Sequence, residues 1–128
     1  MTIADIIAPA LNVLFVGHSV SLSTAQTGHH FHGPGNRFWR ALHEGGFTPR
    51  QLSPEEDREL LQYGIGITNL VTTRASNRAD AISEEDVKRG FQLLLRKIRR
   101  LTPRAIAILT LTHIPPGQPV SAVVACRD

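Results

Sequence analysis

Three short apolar runs constrain the fold of this 128-residue chain more than any other feature. They are "LNVLFVG" at 11–17, "IGITNLV" at 65–71 and "RAIAILTL" at 104–111. An unbroken apolar run of this length is typical of a strand buried on both faces, as in a parallel sheet. Segments with helical spacing separate the runs, and this alternation favours right-handed crossovers. The sequence therefore predicts an α/β fold, with three α/β/α layers around a short parallel sheet.

The helical segments have clear start and stop signals. In "SPEEDRELLQYG", Ser53 is the predicted N-cap, Glu56 completes a capping box and Gly64 ends the helix. Asn36 is expected to cap a shorter helix. The longest helix begins after Ser83, and its predicted apolar stripe packs on the sheet. The stripe consists of Val87, Phe91, Leu94 and Ile98.

A long polar loop is predicted directly after the first strand, from His18 to about Gly35. It contains most of the unusual stretch "TGHHFHGPGNRFW" at 27–39. In open α/β sheets, ligands bind beyond the carboxyl ends of the strands. This loop is therefore the predicted functional site.

The residues of the loop allow three kinds of site. A metal site needs His29, His30 and His32 to converge, but neighbouring residues of an extended segment point in opposite directions. A phosphate site would use "GPGNRFW", which lacks the lysine of a P-loop and the dinucleotide fingerprint. In a ring pocket, Phe31 would stack on a flat base, although the same residue could simply anchor the loop to the core.

Composition sets broad limits on function. The formal net charge of +3 and the isoelectric point near 9.8 permit nucleic acid as a partner without requiring it. Cys126 is the single cysteine, which excludes an internal disulfide and suits a reducing cytoplasm. We expect neither a membrane span nor an export signal, because the apolar runs are short and no signal-peptide pattern is present.

From Leu11 to about Leu109 the sequence resembles the mismatch-specific uracil/thymine-DNA glycosylase family of the uracil-DNA glycosylase superfamily. The matching words are "FVG", "TGHHF", "GPGNRFW", "GFTPRQL" and "LLQYGIGITNLV". The resemblance implies an enzyme of base excision repair that excises uracil, or thymine or uracil opposite guanine, from double-stranded DNA. It implies no metal and no other cofactor. It also implies a cytoplasmic protein of bacterial type that works on nucleoid DNA.

The resemblance also assigns site residues. Phe31 is implied as the residue that stacks on the flipped-out base, and Gly17 as a backbone contact to that base. His30 and Asn36 complete the predicted base pocket. Arg37 and Arg50 are candidate contacts to DNA phosphates.

The segment after the first strand departs from the family pattern. Relatives read Gly-Ile-Asn-Pro-Gly-Leu there, and their asparagine positions the attacking water, whereas this chain reads "GHSVSL" at 17–22. Ser19 stands at the asparagine position, so Ser19 is the predicted catalytic residue, with His18 as a substitute base if it faces the pocket. The alternative is a catalytically impaired homologue that retains only the base pocket.

The C-terminal stretch "THIPPGQPVSAVVACRD" at 112–128 also departs from the family. We expect a partial glycosylase-like domain over 1–111 and a divergent tail over 112–128, with "VSAVVAC" as one more short strand. The C-terminal part of the fold, including the loop that wedges into DNA, is then missing. An incomplete sheet is expected to leave an apolar edge near the third strand and to promote self-association.

Overall fold

The structure is a computed structural model that describes residues 3–33, 36–75, 83–109 and 122–126. For residues 19, 72–75 and 122–126 it describes the backbone. The strands are β1 (Val13–Val20), β2 (Ile65–Ala75), β3 (Ala105–Leu109) and β4 (Ala122–Cys126). The helices are α1 (Leu22–Thr27), α2 (Phe38–Glu44) and α3 (Glu84–Leu101), with a 3-10 helix over Pro54–Tyr63.

The four strands form one sheet in the order β2-β1-β3-β4. The central strand β1 runs parallel to both β2 and β3, which confirms the predicted parallel arrangement of the three apolar runs. Strand β4 pairs with β3 in the antiparallel sense. The fold is therefore a small α/β fold, as the sequence predicts.

One side of the sheet, which we call the pocket face, is covered by α2 and the 3-10 helix. Its core contains Val13 and Phe15 of β1, together with Ile67 of β2. Trp39 of α2 and Leu60 of the 3-10 helix pack against these strand residues. This core thus combines aliphatic residues with the aromatic Phe15 and Trp39.

The opposite side, which we call the helix face, is covered by α3. Leu14 and Val16 of β1 pack there with Leu70 of β2 and Leu94 of α3. A Cβ atom at Gly90 of α3 would overlap the backbone of Leu70. Gly90 therefore allows the helix to lie directly against strand β2.

The starts of α3 and of the 3-10 helix follow the predicted signals, but the N-cap of α2 is Arg37 and not the predicted Asn36. The Ser83 side chain accepts a hydrogen bond from the Asp86 amide at the start of α3. At the start of the 3-10 helix, the Glu56 carboxylate accepts from the Ser53 amide at 3.0 Å. Gly64 ends that helix with φ 72°, in the left-handed region that favours glycine.

Two further local predictions are wrong. Phe91 belongs to the predicted buried stripe, yet it is 41% exposed because the contact with β2 runs through Gly90 and Leu94. The region after His18 is also more ordered than the predicted polar loop, since β1 continues to Val20 and α1 follows. Ser21 caps α1 by accepting from the Thr24 amide, and Gly28 closes the helix at φ 77°.

The predicted open edge at the third strand is also wrong, because β4 pairs along the whole of β3. The predicted short strand within "VSAVVAC" is confirmed as β4. Self-association stays a prediction. Within the described part of the chain, no helix combines the length and apolar character that crossing a bilayer requires.

Candidate functional site

The segment from Gly28 to Gly33, which we call the pocket loop, follows α1 on the pocket face. Phe31 lies at its centre with φ 49°, in the left-handed region. For a residue other than glycine, this backbone conformation costs about 1–3 kcal/mol of free energy, so surrounding contacts must fix it. Such strain is common in segments that position a ligand.

An aromatic stack holds the Phe31 ring. The ring lies on that of Phe38 with 4.1 Å between centroids and an interplanar angle of 25°. Phe38 in turn packs edge-on against Phe15, at 5.3 Å, and against Trp39, at 5.1 Å. This stack anchors the Phe31 ring, which we call the Phe31 plate, to the core of the pocket face.

A cavity of about 110 Å³ borders this plate beyond the carboxyl end of β1. For comparison, an engineered apolar cavity of about 150 Å³ binds benzene. The cavity thus has the scale of a single flat ring. Its described lining residues are Val20, Ser21, Thr24, His30, Phe31, Asn36 and Asn69.

Gly17 and Asn69 face each other across paired strands at this end of the sheet. Their Cα atoms are register partners in β1 and β2. A Cβ atom at Gly17 would collide with the Asn69 amide oxygen and would lie 3.6 Å from the Phe31 ring. Only glycine at this position leaves room for the Asn69 side chain beside the Phe31 plate.

Asn69 is the site residue that the sequence reasoning missed. It is 8% exposed and lines the cavity. Its side-chain amide offers hydrogen-bond donors and an acceptor at the cavity wall, so it is suited to bind a ligand. The sequence feature that could have indicated Asn69 is a single amide side chain inside the apolar run "IGITNLV".

His30 is buried and held from two sides. Its backbone amide donates to the Asp57 carboxylate at 3.0 Å. Its ring Nε2 lies 2.8 Å from the Ala4 carbonyl oxygen, which only accepts, so Nε2 carries a proton. Burial lowers the pKa of His30, against the opposing effects of Ala4 and Asp57, and this favours the neutral ring.

The other two histidines of the pocket loop contact different partners. His29 Nδ1 lies 3.6 Å from Asp57 Oδ1. His32 Nδ1 lies 2.6 Å from the Ser23 hydroxyl, and its Nε2 lies 3.3 Å from Glu55. The three rings therefore tie the loop to its surroundings and do not converge on one point. The described residues contain no cluster of metal-ligating side chains.

The predicted catalytic residues lie near the end of β1. Ser19 pairs with Val71 through its backbone, and its side chain lies outside the described part. Side chains alternate along a strand, and Leu14 and Val16 face α3. His18 continues that even-numbered series, so it belongs to the helix face, opposite Phe31.

The remaining predicted site residues differ in whether protein partners already occupy their side chains. Asn36 lines the cavity, and its Oδ1 accepts from the amide at the start of α2 at 3.0 Å. Arg37 is exposed beside Asn36. Arg50 instead pairs with Glu56 at 2.6 Å and with Glu59 at 3.4 Å. The bond to Glu56 raises the pKa of Arg50 and lowers that of Glu56. A phosphate would have to compete with two carboxylates for this guanidinium.

The family model of the uracil DNA glycosylase superfamily matches residues 4–118. The match includes β1, the pocket loop and β2, and thus every described residue that lines the cavity. It covers well over half of the chain. The chain belongs to the uracil DNA glycosylase superfamily, whose members are DNA glycosylases.

Proposed function

We propose that this chain removes uracil from DNA, including uracil or thymine opposite guanine, by hydrolysing the N-glycosidic bond. One observation carries the proposal. A ring-sized cavity at the carboxyl end of β1 has the Phe31 plate on one side and the buried Asn69 amide on another. This combination offers stacking together with hydrogen bonding to a base edge.

A base inside a duplex cannot reach such a cavity, so the nucleotide must first be flipped out. Phe31 then stacks on the base, and Phe38 supports Phe31 from behind. The Asn69 amide supplies one acceptor and one donor group. These complement the N3–H donor and the O4 acceptor that uracil and thymine share.

Bond cleavage needs stabilisation of the departing uracil anion and a water placed against the oxocarbenium-like sugar. Hydrogen-bond donors near the base stabilise the anion, and the reaction demands no redox step. We retain Ser19 as the residue that positions water. Its side chain is shorter than that of asparagine by about one atom, and a misplacement of about 1 Å can cost a hundredfold in rate. Slow turnover is therefore expected.

The second candidate function is base recognition without turnover. It is favoured by Ser19 at the position where the mismatch-specific family has a water-positioning asparagine. In this case the pocket binds a flipped base and releases it unchanged. The two candidates share the cavity and differ in the chemical step alone.

Single-turnover release of uracil tests both candidates. The substrate is a duplex with one uracil opposite guanine, and the matched duplex has cytosine in place of uracil. We expect slow release by the natural chain, and a rate higher by about 10- to 100-fold in the double variant His18→Ile, Ser19→Asn. Ser83→Asn is the control, because asparagine serves equally well as the N-cap of α3.

The outcomes separate the two functions. Uracil release that is absent in all variants, combined with preferential binding of the uracil duplex, would establish the binding module. Equal affinity for both duplexes would contradict the proposed function altogether. Rapid release by the natural chain that persists in Ser19→Ala would show that another group positions the water.

A further inference from the structure

Residues 3–6, which we call the strap, contact strand β2, which lies at one edge of the described sheet. Ile6 and Ile67 form an antiparallel bridge, with two backbone hydrogen bonds of 2.9 and 2.8 Å. Ile6 is 2% exposed and belongs to the core of the pocket face. The strap is therefore part of the packed structure and covers β2.

An ionic network fixes the strap to the helix face. Asp5 Oδ2 accepts from the Lys97 ammonium of α3 at 2.7 Å, and Asp5 Oδ1 accepts from the Thr68 hydroxyl at 2.7 Å. Lys97 also donates to the Thr68 hydroxyl at 2.9 Å. Thr68 is fully buried, while the side chains of Asp5 and Lys97 are 16% and 24% exposed. Three mutual contacts with little solvent access hold this network in one geometry.

The residue before Asp5 reaches the other side of the strand. The Ala4 carbonyl accepts the hydrogen bond from His30 Nε2 at 2.8 Å. His30 lines the cavity together with Phe31 and Asn69. A continuous series of contacts thus joins Lys97 on the helix face to the cavity on the pocket face, through two adjacent residues of the strap.

We propose that the strap is a positioning element of the base pocket, in which Asp5 acts through the Ala4 carbonyl on His30. The proposal rests on the proposed function, because the ligand is the flipped base. A fixed carbonyl keeps the proton on Nε2 and sets the angle of the ring. The hydrogen bond at one ring nitrogen of a histidine commonly sets which nitrogen carries the proton.

Release of Asp5 from Lys97 would free the strap to shift. His30 would then lose a fixed acceptor, and a buried N–H without a partner is costly. The ring would turn or change tautomer, and the wall of the cavity would change with it. Couplings of this kind through packed networks alter affinity by about 3- to 30-fold.

The test uses Asp5→Asn, which keeps the shape and removes the charge, and Lys97→Gln, which removes the partner. Asp5→Glu is the conservative variant that restores the ion pair. Lys88→Gln is the control, since it removes a positive charge from an exposed position of the same helix. Two quantities are measured on the folded proteins: the His30 ring tautomer by nitrogen NMR, and the affinity for a uracil-containing duplex whose sugar fluorine blocks hydrolysis.

We expect the natural chain and Lys88→Gln to show the Nε2–H tautomer. Asp5→Asn and Lys97→Gln should show a mixed tautomer and an affinity lower by about 3- to 30-fold. Asp5→Glu should recover both. If Asp5→Asn does not fold, Lys97→Gln, which leaves the strap sequence unchanged, carries the test.

A lower melting temperature with an unchanged tautomer and unchanged affinity would overturn the proposal, because the network would then be merely structural. The tautomer is read without DNA. If no protein prefers the uracil duplex, the proposed function fails. An altered tautomer in that case would still establish that Asp5 controls His30.

Discussion

The two faces of the sheet use the same strand β1 in different ways. On the helix face, Leu14 and Val16 meet aliphatic residues of α3, with Gly90 allowing close contact. On the pocket face, Phe31 of the aromatic stack, the buried His30 and the Asn69 amide line a ring-sized cavity. Aliphatic packing of this kind stabilises a fold and offers little for recognition. The helix face also has a buried polar group, Thr68, but Thr68 is paired with Asp5 and Lys97. On the pocket face, polar side chains line a cavity that a ligand can enter, and this marks the functional side.

Among substitutions on the two faces, Gly17→Ala on the pocket face is expected to have the largest effect on the rate of uracil release. The new Cβ would collide with the Asn69 amide oxygen, which would have to move into the cavity. Displacement of about 1 Å at such a site costs on the order of a hundredfold in the rate of uracil release. Single-turnover release from the uracil duplex measures this effect.

The double variant Gly17→Ala, Asn69→Ala checks the cause. If the collision with Asn69 is responsible, the double variant should be no slower than Asn69→Ala alone. An added loss in the double variant would show that the methyl group harms the pocket by another route. Normal activity of Gly17→Ala would contradict the tight packing of Gly17 against Asn69.

Phe31 on the pocket face is partly buried and Phe91 on α3 is exposed, and the two phenylalanines form a matched pair for comparison. Phe31→Ala should weaken binding of uracil-containing DNA by about 1–3 kcal/mol, because a stacking platform is lost. Phe91→Ala, on the exposed side of α3, should leave this affinity unchanged. Equilibrium binding by fluorescence anisotropy distinguishes them, and equal effects of the two substitutions would remove the distinction between the faces.

The buried His30 predicts a dependence of stability on pH. Burial lowers its pKa in the folded chain, so the unfolded chain binds the proton more tightly. The contribution of the neutral ring to stability is complete above pH about 6.5 and is lost as the pH falls below it. One proton corresponds to a slope of at most about 1.4 kcal/mol per pH unit.

Urea unfolding at a series of pH values from 7.5 to 5 (approximate limits set by the ordinary histidine range) measures that slope. His30→Gln should reduce it, since glutamine does not titrate. A slope identical to that of the natural chain would show that His30 is not the group responsible.

The parts of the fold that follow from local pattern were predictable. The three apolar runs became β1, β2 and β3, and the caps at Ser53 and Ser83 lie where the sequence places them. Helix α1 was missed because it spans only six residues, too few for a periodic pattern. The start of α1 is marked in the sequence only by the capping serine, Ser21. A serine at that position is equally typical of a turn.

Long-range contacts explain what was missed in the site. The placement of Phe31 beside a cavity agrees with the sequence prediction, while its role in stacking stays a prediction. Asn69 was hidden inside a strand, since only the pairing of β1 with β2 brings it opposite Gly17. The contact between Asp5 and Lys97 joins the first described residues to helix α3, and no local pattern indicates it.

The smallest expected effect is on DNA affinity and its salt dependence, and it comes from Arg37. We propose Arg37 as a contact to a DNA phosphate. Arg37→Gln should weaken binding to all duplexes alike and reduce the slope of log affinity against log salt by about 1, because one fewer counterion is released. Arg50→Gln is the comparison, and it should change this slope less, since Arg50 is already paired with Glu56. A larger change of slope in Arg50→Gln would reverse the assignment.

The most direct test of the central claim is nitrogen NMR of the Asn69 side-chain amide during titration with the fluorine-blocked uracil duplex. If the cavity on the pocket face receives the base, the Asn69 amide resonances shift at the concentration that saturates binding. The side-chain amide of Asn12, an exposed asparagine outside the cavity, should not shift. Saturable binding that moves resonances of α3 and leaves those of Asn69 unchanged would contradict the account.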